Sequence, residues 1–553
     1  MIIKEKQNNH LKKIFIFLFI WISISFCEVQ DNKIEKQHPK IVNIINFVRL
    51  LEPRGVSLTK DVLYQTTVNQ LKMMKENKLG GTFLLQYDAL MDLRYQKLLK
   101  DLPKEYEVGA WFEIPQPLVE NAGLKWHGRY PWDWRANVGF LIAYTIEERE
   151  KLIDVYMEDF KNIFGAYPKS VGCWFIDAHS LEYMYKKYGV IASCFCRDQM
   201  GVDGYTLWGG YWNQGYYPSK VNSYMPAQNS INQIPVPIFR MLGSDPLRMT
   251  NPTGMEPAIE NDGGSDSSYV DWYFNEFVNG ASMDFAYVQI GQENSFGWKR
   301  LGKGFAHQIK LITKLKDEGK IQVENLSETG LWFKKKYKTT PATSVTVLNG
   351  VSGDNRKTVW FDSRFYRANI LWENGTLKFR DIHLFDEKLK CQYLTEVNTS
   401  TAAKFFTLPL IDCLSFGNDK NSSKGLQLKA IVNGKEIFLE GETPIVDDSK
   451  KGKLHISWPL KNVAGNFVVD LDERGIKMKL QGNSFTNWFF DFTTSEDTKP
   501  MITKLLSKKV ECKFKEVDYH MDIIKGSVSV PRKEIVYRLT PEKSLISLDF
   551  SKR

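Results

Sequence analysis

Cysteine is scarce in this sequence, with 7 among 553 residues at irregular spacing. So few thiols in so long a chain exclude a disulfide-built scaffold. Cys194 and Cys196 lie two apart on an expected strand. No second Cys/His pair matches them, so they read as small buried hydrophobes, not as a zinc or redox pair. No phosphate loop ending in Gly-Lys-Ser/Thr is present, no spaced dinucleotide glycines follow a strand, and there is no Gly-x-Ser-x-Gly elbow. Nucleotide chemistry and the serine-hydrolase elbow are therefore not expected. Charge is not concentrated either. The 74 basic and 65 acidic residues leave +9, spread along the chain, with no footprint for nucleic acid.

One long apolar run occurs, Ile14 to Phe26, preceded by Lys12 and Lys13 and followed by Cys27 and polar residues. A basic start, a short apolar stretch and a polar exit predict a secretory signal peptide over 1–27. The run is shorter than the roughly twenty residues that span a bilayer. Bulky Phe26 disfavours Cys27 as a lipid attachment site, so membrane contact is expected at most through that residue. The mature chain is expected to be secreted, periplasmic or at the cell surface, with 28–40 a flexible N-terminal segment.

What the chain has in quantity is apolar and aromatic side chains: 43% hydrophobic and 13% aromatic residues, including 15 Trp. Short apolar runs end repeatedly in polar or acidic clusters. They are Val42 to Arg49 before Glu52, Thr82 to Tyr87 before Asp88, Val108 to Phe112 before Glu113, and Val171 to Ile176 before Asp177. Val190 to Cys196 precedes Arg197 and Asp198, Val236 to Arg240 precedes Asp245, Phe285 to Ile290 precedes Gln292 and Glu293, and Ile321 to Glu324 precedes Glu328. Continuous apolar runs are the mark of parallel strands buried on both faces. Helical stretches separate them, over 61–75, 145–164, 180–188 and 304–316. The predicted fold is α/β, a (β/α)7-8 barrel over 41–333. After a 334–343 linker, Asn433-Gly434 and Asn374-Gly375 mark hairpin turns of an antiparallel β-sandwich domain over 344–553.

In a β/α barrel the C-terminal strand ends share one mouth. The layout therefore collects carboxylates in one cavity. In Trp174-Phe-Ile-Asp177, an Asp ends a buried strand, placed to act as nucleophile or base, or to cap the following helix. In Gly291-Gln292-Glu293-Asn-Ser-Phe-Gly297-Trp298, a Glu sits among amides and glycines, placed to act as general acid if its surroundings are dry. Glu52, Arg54, Asp88, Glu113, His179, Asp198, Arg240, Asp245 and Gln292 are further candidates for contact with hydroxyl groups. Two aromatic inserts interrupt the barrel. The first, 115–144, carries Trp132, Asp133 and Trp134; the second, 201–235, carries Trp208 and Trp212. Flat aromatic faces, with Trp298, suit the apolar faces of sugar rings.

Three patches, Glu107-Val-Gly with Trp111, Pro168 to Asp177, and Tyr188-Gly189-Val, resemble strands of polysaccharide deacetylases in the glycoside hydrolase/deacetylase (β/α)-barrel superfamily. The paired aspartates and His-rich motif of those deacetylases are replaced here by Asn46-Phe-Val-Arg49 and Trp111-Phe-Glu113. The resemblance thus implies the barrel without the family's metal triad. Trp174-Phe-Ile-Asp177 and Gln292-Glu293-Asn-Ser-Phe296-Gly297 are also similar to the nucleophile and acid segments of glycoside hydrolase family 57. The two-domain layout resembles a family of exported bacterial proteins of uncharacterised activity. These resemblances imply an exported, metal-independent glycoside hydrolase without cofactor, acting on an oligo- or polysaccharide through Asp177 and Glu293. The alternatives are a glycan-binding protein on a degenerate barrel and a deacetylase with an altered metal site.

Overall fold

A computed structural model describes residues 38–248, 254–260, 263–413, 424–482, 487–494 and 500–551. The expected signal peptide, Cys27 and most of the 28–40 segment lie outside the described residues.

Seven parallel strands form the barrel: β1 (Lys40–Val48), β2 (Gly81–Leu85), β3 (Tyr106–Trp111), β4 (Ser170–Gly172), β5 (Ala192–Cys196), β6 (Ile238–Met241) and β7 (Ala286–Ile290). They pair in the order β7-β1-β2-β3-β4-β5-β6. All nine residues of β1 are buried, as a strand covered on both faces requires. A further strand, β8 (Gln322–Glu324), pairs with the first half of β1, outside the ring. It takes the last of the apolar runs and leaves the barrel with seven strands.

Closure between β6 and β7 uses side chains instead of a strand ladder. Gln289 of β7 accepts from the Leu242 amide at 2.8 Å, and Gln214 accepts from the Tyr287 amide at 2.9 Å. Gly215–Tyr216, from the second insert, runs antiparallel along the free edge of β6. Buried backbone groups that lack a neighbouring strand are thereby satisfied.

The outer helices include α1 (Lys60–Glu76), α2 (Ile146–Phe164), α3 (Ala178–Tyr188), α4 (Ser267–Asn279), α5 (Trp298–Asp317) and α6 (Leu326–Lys336). Thr145 and Glu148 form a reciprocal capping box at the start of α2. Helix α5 begins six residues before the predicted 304. Gly302 and Gly304 lie within it, and a Cβ at Gly304 would lie 2.3 Å from the Pro257 carbonyl oxygen. That glycine permits close packing. Helix α6 runs through Lys336, so the first residues of the expected 334–343 linker are helical.

Beyond Thr343, antiparallel strands form a 10-stranded and an 8-stranded sheet. Trp372, Phe379, Leu428, Trp458, Phe467 and Phe490 belong to their shared core. Asn433-Gly434 and Asn374-Gly375 both take positive φ and close two-residue hairpins, as predicted. Barrel and sandwich belong to one compact unit, 40–553. Tyr205–Trp208 of the second insert pairs in parallel with Ala403–Phe406 beyond the barrel.

Candidate active site at the barrel mouth

The mouth is organised by Arg49, the residue after β1, which is 1% exposed. Its Nε donates to Glu113 Oε2 at 2.6 Å and its Nη2 to Glu113 Oε1 at 2.7 Å. Its Nη1 lies 2.6 Å from Glu293 Oε2 and donates to Ser295 Oγ at 3.0 Å. Glu113 follows β3 and Glu293 follows β7, so one guanidinium joins the ends of three strands. Trp174, after β4, donates its indole N–H to Glu113 Oε1 at 2.6 Å. Beneath this group Phe47 stacks on Trp111 at 4.2 Å, and Trp174 meets both edge-on.

The first aromatic insert covers the charges. The Arg49 guanidinium lies 4.3 Å from the Trp132 ring centre, and that of Arg54 5.3 Å from Trp132 and 5.1 Å from Trp134. Glu52 chelates Arg54 at 2.7 and 2.8 Å, and Arg54 reaches Asp203 of the second insert at 3.1 Å. Tyr130 and half-buried Trp134 stack nearly parallel, 6.0 Å apart, on the outer side of this lid. Asp133 holds the insert in shape by accepting two hydrogen bonds from the Arg129 guanidinium, at 2.7 and 2.8 Å.

Burial lifts the Glu293 carboxyl to about 7; Arg49 opposes the rise and Glu113 adds to it. Burial also lifts Asp88 to about 7, against hydrogen bonds from the Ala89 and Leu50 amides. At Glu52 burial pushes upward too, but Arg54 and Arg49 outweigh it and hold the carboxyl below its usual range. The mouth thus sets Glu293, its carboxyl lifted toward neutral, beside Glu113, whose two oxygens accept from three donors.

The structure brings together Glu52, Arg54, Glu113, Trp132, Trp134 and Glu293, with Asp88 within electrostatic reach of Glu113. Gln292 turns aside, its amide 3.5 Å from Glu256 Oε1.

Asp177 is elsewhere. It caps α3, accepting from the Ser180 amide at 3.0 Å and hydroxyl at 2.7 Å, and it pairs with buried Arg149 at 3.2 Å. Among the described residues it shares no hydrogen-bond or ion-pair partner with Glu293.

Other expected sugar contacts have partners within the protein. His179 sits on the outer face of α3, paired with Glu150 at 2.9 Å. Trp298 opens α5, where its amide donates to Thr66 of α1 at 2.9 Å and its ring packs on Phe305. Asp245 binds the Leu247 and Arg248 amides in a buried turn. Asp198, Arg240, Trp208 and Trp212 are buried where barrel and sandwich meet. Asp198 pairs with Arg240 at 2.7 Å and with Arg367 at 2.5 Å. Trp208 donates to Asp412 at 3.0 Å, and Trp212 stacks on Trp360 at 4.4 Å and 6°. The second insert is aromatic because it forms a domain interface. Sequence reasoning misses Arg49 and Trp174 as site residues; a lone Arg closing an apolar strand is the signal for the first.

No family model matches the chain, and no curated protein matches it. Among solved structures, it is similar to a Parabacteroides distasonis protein provisionally assigned as a glycoside hydrolase/deacetylase. That match has 16% identity and a TM-score of 0.48, covering 66% of this chain and 88% of that one. A provisionally assigned polysaccharide deacetylase from Mycobacterium smegmatis matches at 11% identity and TM-score 0.36, over 55% of this chain and 92% of its own. PuuE allantoinase matches at 11% and 0.34, over 55% and 94%. Likenesses at this level carry no argument about activity, which rests on the residues of the site itself.

Proposed function

We propose that the chain is an exported carbohydrate-active hydrolase whose mouth carboxylates, Glu293 and Glu113, cleave a glycosidic bond in an oligo- or polysaccharide. The observation that carries this reading is Glu293. It is a buried carboxyl at a barrel strand end, held at about 7, and shares Arg49 with Glu113. In this reading Glu293 protonates the departing glycosidic oxygen. Glu113 Oε1 accepts from Arg49 and Trp174, while Oε2 accepts a single bond, from Arg49. A carboxylate has about four lone-pair sites, so Oε2 keeps one for a water or an anomeric carbon. The Tyr130–Trp134 stack would hold a sugar face, and the Trp132 lid would lift to admit it.

Incubating the full chain with a panel of glycans and weighing the products tests this. Release of new reducing ends by wild type, lost in Glu293→Gln and Glu113→Gln proteins that still melt cooperatively, is the expected result. Full turnover by Glu293→Gln would remove that residue from the mechanism.

One observation favours a second reading, a glycan-binding protein without turnover: Trp132 is 1% exposed and seals the charges beneath it. That reading predicts saturable binding, no new reducing ends, and little loss of affinity in the two Gln variants.

A further inference from the structure

Away from the barrel mouth, where the second insert meets the sandwich, three ligand-type side chains converge. Asp381 and His383 lie two apart on the strand Thr376–Leu384 and so face the same side. Asp412, at the end of Leu408–Asp412, is the cross-strand partner of Asp381. All three are buried, and one ligand atom from each lies within 4.8 Å of the other two.

The hydrogen bonds fix the state of the imidazole. Thr407 Oγ1 donates its one proton to the Gly209 carbonyl at 2.7 Å. It can therefore only accept from His383 Nδ1, 2.9 Å away. Nδ1 carries the hydrogen, and in the neutral ring Nε2 is a bare lone pair. That nitrogen is buried without a hydrogen-bond partner, 3.5 Å from Asp412 Oδ2 and 3.7 Å from Asp381 Oδ2. Both separations exceed the 2.7–3.2 Å of an N–H···O bond, so no hydrogen bond joins Nε2 to either carboxylate. They match the edges of a tetrahedron with 2.0–2.2 Å bonds, about 3.4 Å long. A point equidistant from the three atoms lies about 2.4 Å or less from each.

We propose that Asp381, His383 and Asp412 bind a divalent transition metal ion of the zinc class. One imidazole and two carboxylates suit that class better than calcium or magnesium. Outer-shell donors are in place around it: Thr407 on Nδ1, Arg367 on Asp381 Oδ2 at 2.7 Å, and Trp208 on Asp412 Oδ2 at 3.0 Å. Gly209 is required there, since a Cβ would fall 2.2 Å from Thr407 Oγ1 and 2.3 Å from His383 Nδ1. Trp208 and Gly209 come from the barrel insert and the ligands from the sandwich strands. The ion is held by the sandwich strands and orders the face on which the insert packs, independent of the chemistry at the mouth.

The test uses the full chain, stripped with a chelator, reloaded with zinc or cobalt, dialysed and measured for metal content. Wild type and Glu113→Gln are expected to retain one ion per chain, while His383→Gln and Asp412→Asn lose at least tenfold. The cobalt form is expected to show the strong visible d–d absorption of a four-coordinate site. Metal-free wild type after loading, or a folded His383→Gln protein holding as much metal as wild type, would overturn the proposal. If both variants fail to fold, the cobalt spectrum of wild type decides, and absence of those bands overturns it.

Discussion

Arg49 grips Glu113 through two parallel hydrogen bonds, 2.6 Å at Nε and 2.7 Å at Nη2, with both side chains buried. The remaining nitrogen, Nη1, turns to Glu293. One cation thus holds two carboxyl groups where water cannot screen them.

Removing that cation leaves buried negative charge without a partner. Arg49→Met is expected to destabilise the protein by about 3–5 kcal/mol in urea unfolding, in the range for breaking a buried pair from one side. A loss under about 1 kcal/mol would mean that the carboxyl groups are relieved in another way.

A carboxyl lifted by the fold keeps its proton in the native state where the unfolded chain has released it. There is no penalty below the ordinary carboxylate range. The penalty grows as pH rises toward about 7 and is constant beyond. Glu293→Gln is therefore expected to gain stability relative to wild type between pH 5 and pH 8, by up to about 3 kcal/mol. Parallel unfolding curves at the two pH values check this, and an unchanged difference would refute the raised carboxyl. With Glu293 as acid, wild-type turnover should fall as pH rises through about 7.

Asp177 is a cap and a partner for Arg149. Asp177→Ala is expected to cost about 3 kcal/mol or more. Asp177→Asn keeps an acceptor for Ser180 and should turn over substrate in proportion to its folded fraction. Loss of turnover in well-folded Asp177→Asn would return that residue to the chemistry.

The two aromatic inserts should respond oppositely. Trp212→Ala removes a ring stacked on Trp360 in the interface and is expected to cost about 3–5 kcal/mol of stability. Trp134→Ala, on the outer lid, should change stability little and weaken glycan binding about tenfold, by titration. The reverse pattern would move the sugar-contacting surface to the second insert.

Much of the architecture was legible from local pattern. The apolar runs of β1, β2, β3, β5 and β7 are continuous because both faces are buried, and Thr145 with Glu148 announces α2. The site was legible only in part. Glu113 and Glu293 stand just past their strand ends, but Asp177, which closes an apolar run of the same form, lies five residues beyond β4 and caps a helix. Trp208 and Trp212 follow the same aromatic pattern as Trp132 and Trp134 and lie in an interface. Local sequence has the same form in each case.

By itself the sequence determined which residues are buried along the apolar strands, where the capped helix α2 starts and where hairpins turn, since hydrophobic period, caps and turn residues act over a few positions. Only the tertiary structure decided which carboxyl shares Arg49, which tryptophans seal an interface and which histidine faces two aspartates. Those outcomes depend on side chains far apart in the chain meeting within about 3 Å, where desolvation and ion pairing take effect.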